Sequence, residues 1–228
     1  MTSSYMPPPL LIIAVDGPSA SGKGTLARRL AEHLGWAYLD TGLLYRAVGM
    51  RVLAEGGSPE DSAGAERAAH ALAIASDLAE ILQDPALKGE KAGQAASRVA
   101  VFPGVRAALL DLQRTFAQNP PNGCPGAVLD GRDIGTVVVP EAPVKLYITA
   151  RPEIRAFRRF RELQGRGEHV TEAATLADLQ ARDARDERRA SAPSRPAPDA
   201  VVLETSSLTA DEAFAQARTL VEGKLKRF

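Results

Sequence analysis

The feature that most constrains this chain is a short apolar run, Leu10–Val15, followed at once by Gly17-Pro-Ser-Ala-Ser-Gly-Lys-Gly-Thr25. Glycines let backbone N–H groups turn inward around phosphate oxygens, and a helix that begins near Gly22 directs its positive end at the same anion. Lys23 adds a charge that can follow the terminal phosphates. A glycine-rich turn with an incidental lysine is the alternative, but a strand before and a helix after favour a loop that binds a nucleoside triphosphate. The residues of this predicted phosphate loop are Gly17, Pro18, Ser19, Ala20, Ser21, Gly22, Lys23, Gly24 and Thr25.

Beyond this loop, short apolar runs alternate with longer segments of helical periodicity, which predicts an α/β fold with a parallel sheet covered by helices. The predicted strands are Leu10–Asp16, Ala127–Asp130, Val144–Thr149 and Ala200–Leu203. The predicted helices are Gly24–Leu34, Leu43–Leu53, one or two segments within 60–83, Val105–Ala117, two charged helices on either side of Gln164–Glu168, and Leu208–Leu225. Pro85–Gly93 contains two glycines and is predicted to be a loop.

Composition argues against several classes of partner. Lys plus Arg (28) balance Asp plus Glu (28), so no global field favours nucleic acid. The run Leu10–Val15 is much shorter than the roughly 20 residues of a membrane span, so we expect neither a signal peptide nor a membrane anchor. Cys124 is the only cysteine, which fits a reducing compartment. We expect a soluble, cytoplasmic monomer with a disordered N-terminus over residues 1–9.

Two further segments supply arginines for a second anion. Asp40-Thr-Gly-Leu-Leu-Tyr-Arg46 follows the first helix, and Asp130-Gly-Arg-Asp133 ends a buried strand. Because the carboxyl ends of parallel strands line one crevice, both segments should face the phosphate loop. Transfer between two phosphates needs several fixed cations, which these segments can provide. Arg46 could instead be a solvated surface arginine, and Asp130 could be a turn cap rather than the acid that orients magnesium through water.

A third group of charges lies nearer the C-terminus. Arg182, Asp186 and Arg189 are spaced i, i+4 and i+7, so a helix puts them on one face. Spacing alone also fits a solvated helix with exposed ion pairs. Upstream, arginines surround a glycine-flanked segment, and such an arm can close over phosphates and exclude water. Arg158 and Arg159 are the candidates in this arm to reach the transferring group.

Five segments share motifs with a known family: Asp16–Thr25, Leu39–Arg46, Ala96–Arg106, Asp130–Pro140 and Arg182–Arg189. Together they resemble the bacterial cytidylate kinase family, a branch of the nucleoside monophosphate kinases. The most specific string is Gly-Arg-Asp-Ile-Gly-Thr at a strand end. The resemblance covers nearly the whole chain after residue 10. It implies a three-layer P-loop kinase fold, ATP with Mg2+ as phosphoryl donor, and CMP or dCMP as acceptor.

The resemblance also implies roles for individual residues. Those expected to hold the acceptor phosphate are Arg46, Arg132 and Arg189. Those expected to face the cytosine ring are Thr41, Ser97, Arg106 and Asp133. Those expected to contact the ribose are Arg182 and Asp186. The residues expected to act in the transfer step are Lys23, Arg132, Arg189, Arg158 and Arg159. A pyrimidine edge mixes an exocyclic donor with ring acceptors, so a carboxylate beside arginine and hydroxyl groups suits it.

The same resemblance divides the chain into a core (10–54, 98–150 and 198–228), an acceptor-binding insert (about 55–97), a lid (about 151–172) and an arginine-rich helix (about 173–190). The insert lacks β-branched runs, which predicts a reduced acceptor-binding domain. Thr41 stands where the family more often has serine, which keeps the hydroxyl and narrows the pocket. Two alternatives are a kinase for another small molecule, such as UMP or AMP, and an ATP-binding module without catalysis. The three phosphate-binding arginines argue against the second, because an ATP sensor needs no second anion site.

Overall fold

The strands form one parallel sheet. The computed structural model of the chain describes residues 11–189 and 191–226, and the predicted disordered N-terminus lies outside them. Within the described residues the strands are β1 (Ile12–Asp16), β2 (Ala37–Asp40), β3 (Ala127–Gly131), β4 (Val144–Thr149) and β5 (Val201–Glu204). Their order in the sheet is β2-β3-β1-β4-β5, and every neighbouring pair is parallel. Parallel neighbours need crossover connections, which the helices supply.

Helices form most of the remaining chain. They are α1 (Lys23–Leu34), α2 (Thr41–Ala54), α3 (Ser62–Ala73), α4 (Leu78–Ile81), α5 (Glu90–Val99), α6 (Pro103–Gln118), α7 (Pro152–Gly165), α8 (Glu172–Glu187) and α9 (Ala210–Leu225). A 3-10 turn spans Pro85–Lys88, and a π-helical turn spans Ile134–Val138. Over the described part of the chain, no helix has the length and apolar character required to cross a membrane.

The sheet is buried on both faces. Ile13 and Val15 of β1 pack against α1 and α9, whereas Ile12 and Ala14 pack on the opposite face with residues of α6 and of the π-helical turn. Successive side chains of a strand point to opposite faces, so an apolar residue is needed at each of these positions. The result is three layers of helix, sheet and helix, which confirms the predicted α/β fold class.

Strand register brings acidic and glycine residues to the same edge of the sheet. Asp16, the last residue of β1, is paired with Gly131 of β3, and Asp40, the last residue of β2, is paired with Asp130. Adjacent strands lie about 4.8 Å apart, so residues that are distant in sequence become neighbours at this edge. The loops that follow these strands must therefore open into one space.

Two elements were not predicted from the sequence. β2 has only four residues and no β-branched side chain, so its apolar signal is weak. The prediction of a loop over Pro85–Gly93 is wrong, because a 3-10 turn occupies its first half and α5 begins at Glu90. The buried face of α5 consists largely of alanines, which resemble a loop when only large apolar residues are counted.

Small residues on α5 allow it to approach α2 closely. An added Cβ at Gly49 of α2 would lie 2.6 Å from the Cβ of Ala95 and 2.8 Å from its carbonyl carbon. The backbones of the two helices are therefore in near contact at this point. Around it, α2, α3 and α6 enclose a second apolar cluster that includes Val48, Leu72 and Leu109. The segment 55–97 is helical or irregular throughout and contains no strand.

We expect Gly49→Ala to lower the free energy of unfolding by about 1–3 kcal/mol, because the new methyl group must push α5 away from α2. The matched control is Gly223→Ala in α9, where no atom lies within 4 Å of the added Cβ. That change should raise the free energy of unfolding by up to about 1 kcal/mol, since alanine favours helix over glycine. Urea denaturation measures both. Equal stability of the two variants would contradict the close contact between α2 and α5.

Candidate active site

The carboxyl ends of the central strands open into a cleft of about 650 Å³. The cleft is lined by every residue predicted to bind the acceptor: Thr41, Arg46, Ser97, Arg106, Arg132, Asp133, Arg182, Asp186 and Arg189. It is also lined by six residues of the predicted phosphate loop, Ser19, Ala20, Gly22, Lys23, Gly24 and Thr25, and by the two candidate arginines of the predicted lid, Arg158 and Arg159. Gly17, Pro18 and Ser21 belong to the same loop but do not line the cleft. Sequence motifs up to 170 residues apart thus meet in one space.

The phosphate loop requires glycine at two points. Gly17 has a φ of 149°, and an added Cβ would lie 2.0 Å from the carbonyl oxygen of Ile148, so the loop can leave β1 only at a glycine. Gly22 has a φ of 89° and immediately precedes α1. Ser21, also in this loop, is fully buried, and its carbonyl accepts a hydrogen bond from the Thr205 hydroxyl at 3.0 Å. The first N–H groups of α1, which lack partners within the helix, are therefore held at the cleft.

Lys23 belongs to a buried cluster of charges. Its Nζ lies 3.7 Å from Oδ1 of Asp130, and the Tyr38 hydroxyl donates to Oδ2 of Asp130 at 2.7 Å. Burial raises the pKa of Asp130 above its ordinary range, and the charge of Asp40 raises it further. Burial also lowers the pKa of Lys23 to about 8, and Arg132 adds to this effect. An anion that entered the cleft beside Lys23 would favour its charged form.

One carboxylate holds two of the predicted arginines. Nε of Arg132 donates to Oδ2 of Asp186 at 2.9 Å, and Nη2 of Arg189 donates to Oδ1 of the same carboxylate. Burial alone would raise the pKa of Asp186, but Arg132 and Arg189 outweigh it and hold the pKa below its ordinary value. The face formed by Asp186 and its two arginines is therefore an ordered part of the cleft rather than a solvated helix surface.

Arg46 and Arg182 carry charge for which no carboxylate partner exists among the described residues. Nη1 of Arg46 donates to the carbonyls of Leu87 at 2.7 Å and Gly89 at 3.2 Å. Nε of Arg182 is buried without a partner in the described part of the chain. Burial, and after it the charges of Arg132 and Arg46, lower the pKa of Arg182 to about 9. Uncompensated positive charge of this kind is costly unless an anion binds.

Another part of the cleft is lined by hydrogen-bond donors and acceptors that lie side by side. Arg106 is paired with the carboxylate of Asp133, and its guanidinium carbon lies 5.7 Å from the centre of the Tyr45 ring. Burial raises the pKa of Asp133, although Arg106 opposes the shift. The Thr41 hydroxyl donates to the backbone carbonyl of Asp130 at 2.8 Å. This part of the cleft offers both a carboxylate acceptor and guanidinium donors.

The two arginines of the predicted lid are bonded to other residues of the protein. Nη2 of Arg158 donates to the carbonyl of Thr205 at 2.6 Å. Arg159 lies 3.2 Å from the carboxylate of Glu90, at the start of α5, and 2.9 Å from that of Glu162. Each arginine therefore has partners that a bound anion would have to replace or join.

Sequence reasoning missed several residues of the site. Tyr38 lies on β2, and its only signal was the strand that was not predicted. Asp40 belongs to the segment expected to face the phosphate loop, but no role was predicted for it. Arg155 does not line the cleft, but it is buried, donates to the carbonyl of Ser19 in the phosphate loop at 3.3 Å, and pairs with Asp183 of α8 at 2.7 Å. No spacing rule connects these residues. Further cleft residues that were not predicted are Arg28, Arg29, Tyr45, Lys88, Glu162 and Arg166.

The chain is similar to known proteins over most of its length. A family model described as cytidylate kinase matches residues 13–222. A curated cytidylate kinase from Caulobacter sp. (strain K31) is 57% identical over 92% of this chain and 94% of its own length. Another from Paramagnetospirillum magneticum (strain ATCC 700264 / AMB-1) is 59% identical over 93% of this chain and 98% of its own length.

A solved structure adds evidence on the fold alone. An uncharacterized protein from Eubacterium ventriosum ATCC 27560 superposes with a TM-score of 0.53 at 14% identity, covering 93% of this chain and 98% of that chain. Such low identity says nothing about activity. It agrees with the three-layer arrangement described above.

We expect Tyr38→Phe to raise the pKa of Asp130 further, because the variant loses a hydrogen bond that stabilises the ionised carboxylate. Asp40→Asn should lower that pKa, because it removes a neighbouring negative charge. Carboxyl carbon chemical shifts followed by NMR as a function of pH measure both. Shifts in the same direction for the two variants would show that the cluster is not arranged as described.

Proposed function

The chain belongs to the cytidylate kinase family, and from that premise we propose that it transfers the γ-phosphoryl group of ATP to CMP or dCMP, giving CDP or dCDP and ADP. The family resemblance inferred from the motifs is thereby confirmed. The observation that carries the proposal is the meeting, in one cleft, of a phosphate loop with Lys23 and a group of arginines for a second anion. Two nucleotide phosphates repel each other until such cations neutralise them.

The donor would occupy the phosphate loop. The N-terminus of α1 and Lys23 face the cleft there, and both favour the β- and γ-phosphates of ATP. The Nζ of Lys23 lies 3.7 Å from Oδ1 of Asp130, a longer distance than in a strong ion pair. The lysine can therefore turn toward phosphate at little cost in free energy. Its role is to follow the charge as it moves from donor to acceptor.

The acceptor phosphate would bind to Arg46, Arg132 and Arg189. Asp186 already orients the last two, so their entropy of ordering is largely lost before the acceptor arrives. Arg182 and Asp186 are proposed to contact the ribose hydroxyls, with Arg182 as donor and Asp186 as acceptor. The acceptor phosphate is an anion near neutral pH and needs no strong general base.

The base would lie near Ser97, Arg106 and Asp133, with Thr41 at the edge of this region. The Asp133 carboxylate accepts hydrogen bonds, which suits the exocyclic amine of cytosine. The carbonyl of uracil at the same position would face the carboxylate without a hydrogen between them. A buried mismatch of this kind is how such a site rejects the wrong base.

Residues 151–172 are proposed to act as a lid and residues 55–97 as the acceptor-binding insert. Arg158 and Arg159 lie on α7 and line the cleft, so closure would let them reach the transferring group. Closure also excludes water, which would otherwise hydrolyse ATP. Arg159 bonds to Glu90 of α5, so the lid and the insert are already in contact.

Magnesium fits the donor set without a cage of protein ligands. Mg2+ in kinases keeps several waters and uses few carboxylates together with phosphate oxygens. Among the described residues no three His, Cys, Asp or Glu side chains form a metal-binding group. Asp130 lines the cleft beside the phosphate loop, and we propose that it would hold the ion through water. Bound there, Mg2+ would supply positive charge to the β- and γ-phosphates.

A panel of acceptors tests the proposal. CMP, dCMP, UMP, AMP and GMP are assayed side by side with ATP, and formation of ADP is measured. We expect CMP and dCMP to have the highest kcat/KM values, with UMP at least about tenfold lower, because one mismatched buried polar pair costs about a factor of ten or more. A higher kcat/KM for UMP would refute the cytidine assignment and leave the kinase class intact. ATP binding without acceptor-dependent ADP formation would refute both.

Two variants separate the halves of the site. Lys23→Ala should lower kcat by about two to three orders of magnitude with little change in folding, because the lysine acts on transition-state charge. Arg189→Ala should raise the KM of the acceptor and lower kcat together, because it positions the acceptor phosphate. The matched control is Arg188→Ala, an exposed arginine at the next position. If Arg189→Ala weakened ATP binding alone, its assignment to the acceptor would be wrong.

A further inference from the structure

Arg185 contacts the base region of the cleft from behind. It lies on α8 among the residues that line the cleft, yet it is not itself one of the lining residues. Its Nε donates to Oγ of Ser97 at 3.0 Å, and its Nη2 donates to Oε1 of Gln94 at 3.2 Å. Ser97 is buried on α5 and lines the cleft. Arg185 and a bound acceptor would therefore touch Ser97 from different sides.

This contact occupies one acceptor position of Ser97 and excludes the direction toward Arg185 for the hydroxyl hydrogen. A guanidinium has only donors and stays protonated, so Oγ of Ser97 must be the acceptor in its bond with Arg185. Among the described residues, Arg185 is the only hydrogen-bond partner of the Ser97 side chain. The hydroxyl hydrogen of Ser97 is thus directed away from Arg185 and is free to point into the cleft.

The position of Arg185 is itself ordered. Nε2 of Gln94 donates to Oε1 of Glu90 at 3.2 Å, which turns the amide oxygen of Gln94 toward Arg185. The planar guanidinium fork then spans Gln94 and Ser97, which are three residues apart on the same face of α5. An arginine held at both ends presents its Nε to Ser97 in one orientation.

We propose that Arg185 is a positioning residue that determines specificity for cytosine, because it makes the Ser97 hydroxyl a donor toward the base. The inference rests on the proposed function. Cytosine presents ring acceptors beside its exocyclic amine, so a Ser97 donor and the Asp133 acceptor match its edge. Uracil carries N–H at the ring position next to its carbonyl, which would face the Ser97 hydrogen with another hydrogen. Without Arg185 the hydroxyl is free to rotate and accept from uracil.

The test compares Arg185→Met with Arg188→Met, a matched change at an exposed position of the same region. The ratio of kcat/KM for CMP to that for UMP is measured in each. We expect the ratio to fall about fivefold in Arg185→Met, mainly through the KM of CMP, because one oriented hydrogen bond is lost. The ratio in Arg188→Met and the KM of ATP in both variants should match wild type.

A double-mutant cycle shows whether Arg185 acts through Ser97. In a Ser97→Ala background, Arg185→Met should change the CMP-to-UMP ratio less than about twofold. A ratio that falls equally with and without Ser97 would overturn the proposal, and so would an equal loss of activity toward both acceptors. If Arg185→Met does not fold, judged by circular dichroism, Arg185→Lys takes its place, and an unchanged ratio in a folded lysine variant that no longer bonds Ser97 would also overturn it.

Failure of the proposed function would look different. In that case the wild-type protein would phosphorylate neither CMP nor UMP, or it would prefer UMP to CMP. If the wild-type protein prefers CMP and Arg185→Met leaves the CMP-to-UMP ratio of kcat/KM unchanged, the inference about Arg185 alone is wrong.

Discussion

The structure depends on confining many positive charges in one cleft, where carboxylates compensate only part of them. Arg132 and Arg189 share Asp186, Arg106 is paired with Asp133, and Lys23 lies near Asp130. These carboxylates reduce the repulsion but do not remove it: burial lowers the pKa of Arg182 most, and the charges of Arg132 and Arg46 add to that effect. Such an arrangement destabilises the unliganded fold, and the rest of the molecule must supply the free energy that holds it. Nucleotide phosphates are the groups that would relieve it.

The parallel sheet brings charged residues that are distant in sequence to one edge. Asp16, Asp40 and Asp130 are far apart in sequence, but the register of β1, β2 and β3 ends all three strands at one edge. The sheet is closed on both faces by apolar packing, so these strand ends cannot move independently. Charges placed just beyond rigid strand ends keep their distances, which is what preorganised electrostatic stabilisation requires.

The sequence was sufficient to predict those parts of the site whose residues lie close together along the chain. The phosphate loop needs glycine, lysine and a strand-to-helix change within ten residues, and the spacing of Arg182, Asp186 and Arg189 already places them on one helical face. It was insufficient where a contact joins separate elements. Nothing in the sequence connects Arg155 to Asp183, or Tyr38 to Asp130, because those pairs form only after the helices and strands have packed.

The failure to predict α5 has the same origin. Its buried face is made of small residues because α2 approaches so closely, and that closeness is a tertiary fact that no single-helix pattern records. Small side chains give a weak periodic signal while permitting the tightest packing. The short distance between α2 and α5 is what brings Arg46 and Ser97, one on each helix, into the same cleft. The helix α5, part of which was predicted to be a loop, therefore determines the width of the proposed acceptor site.

Rigid and movable parts of the site are anchored differently. The carboxylate of Asp16, at the end of β1, accepts from the backbone N–H groups of Ile134 and Gly135 at 2.7 and 2.8 Å, just after the turn that carries Arg132. Burial raises the pKa of Asp16 to about 7, although these two hydrogen bonds oppose the shift. Because Asp16 is also covalently joined to the phosphate loop, one residue links the donor and acceptor sides. The guanidinium of Arg158, by contrast, donates to the hydroxyl and carbonyl of Thr205 and to the carbonyl of Leu208, and in the proposed function it would exchange these bonds for phosphate oxygens. Fixed strand ends, together with exchangeable contacts in the proposed lid, are the combination that phosphoryl transfer under exclusion of water requires.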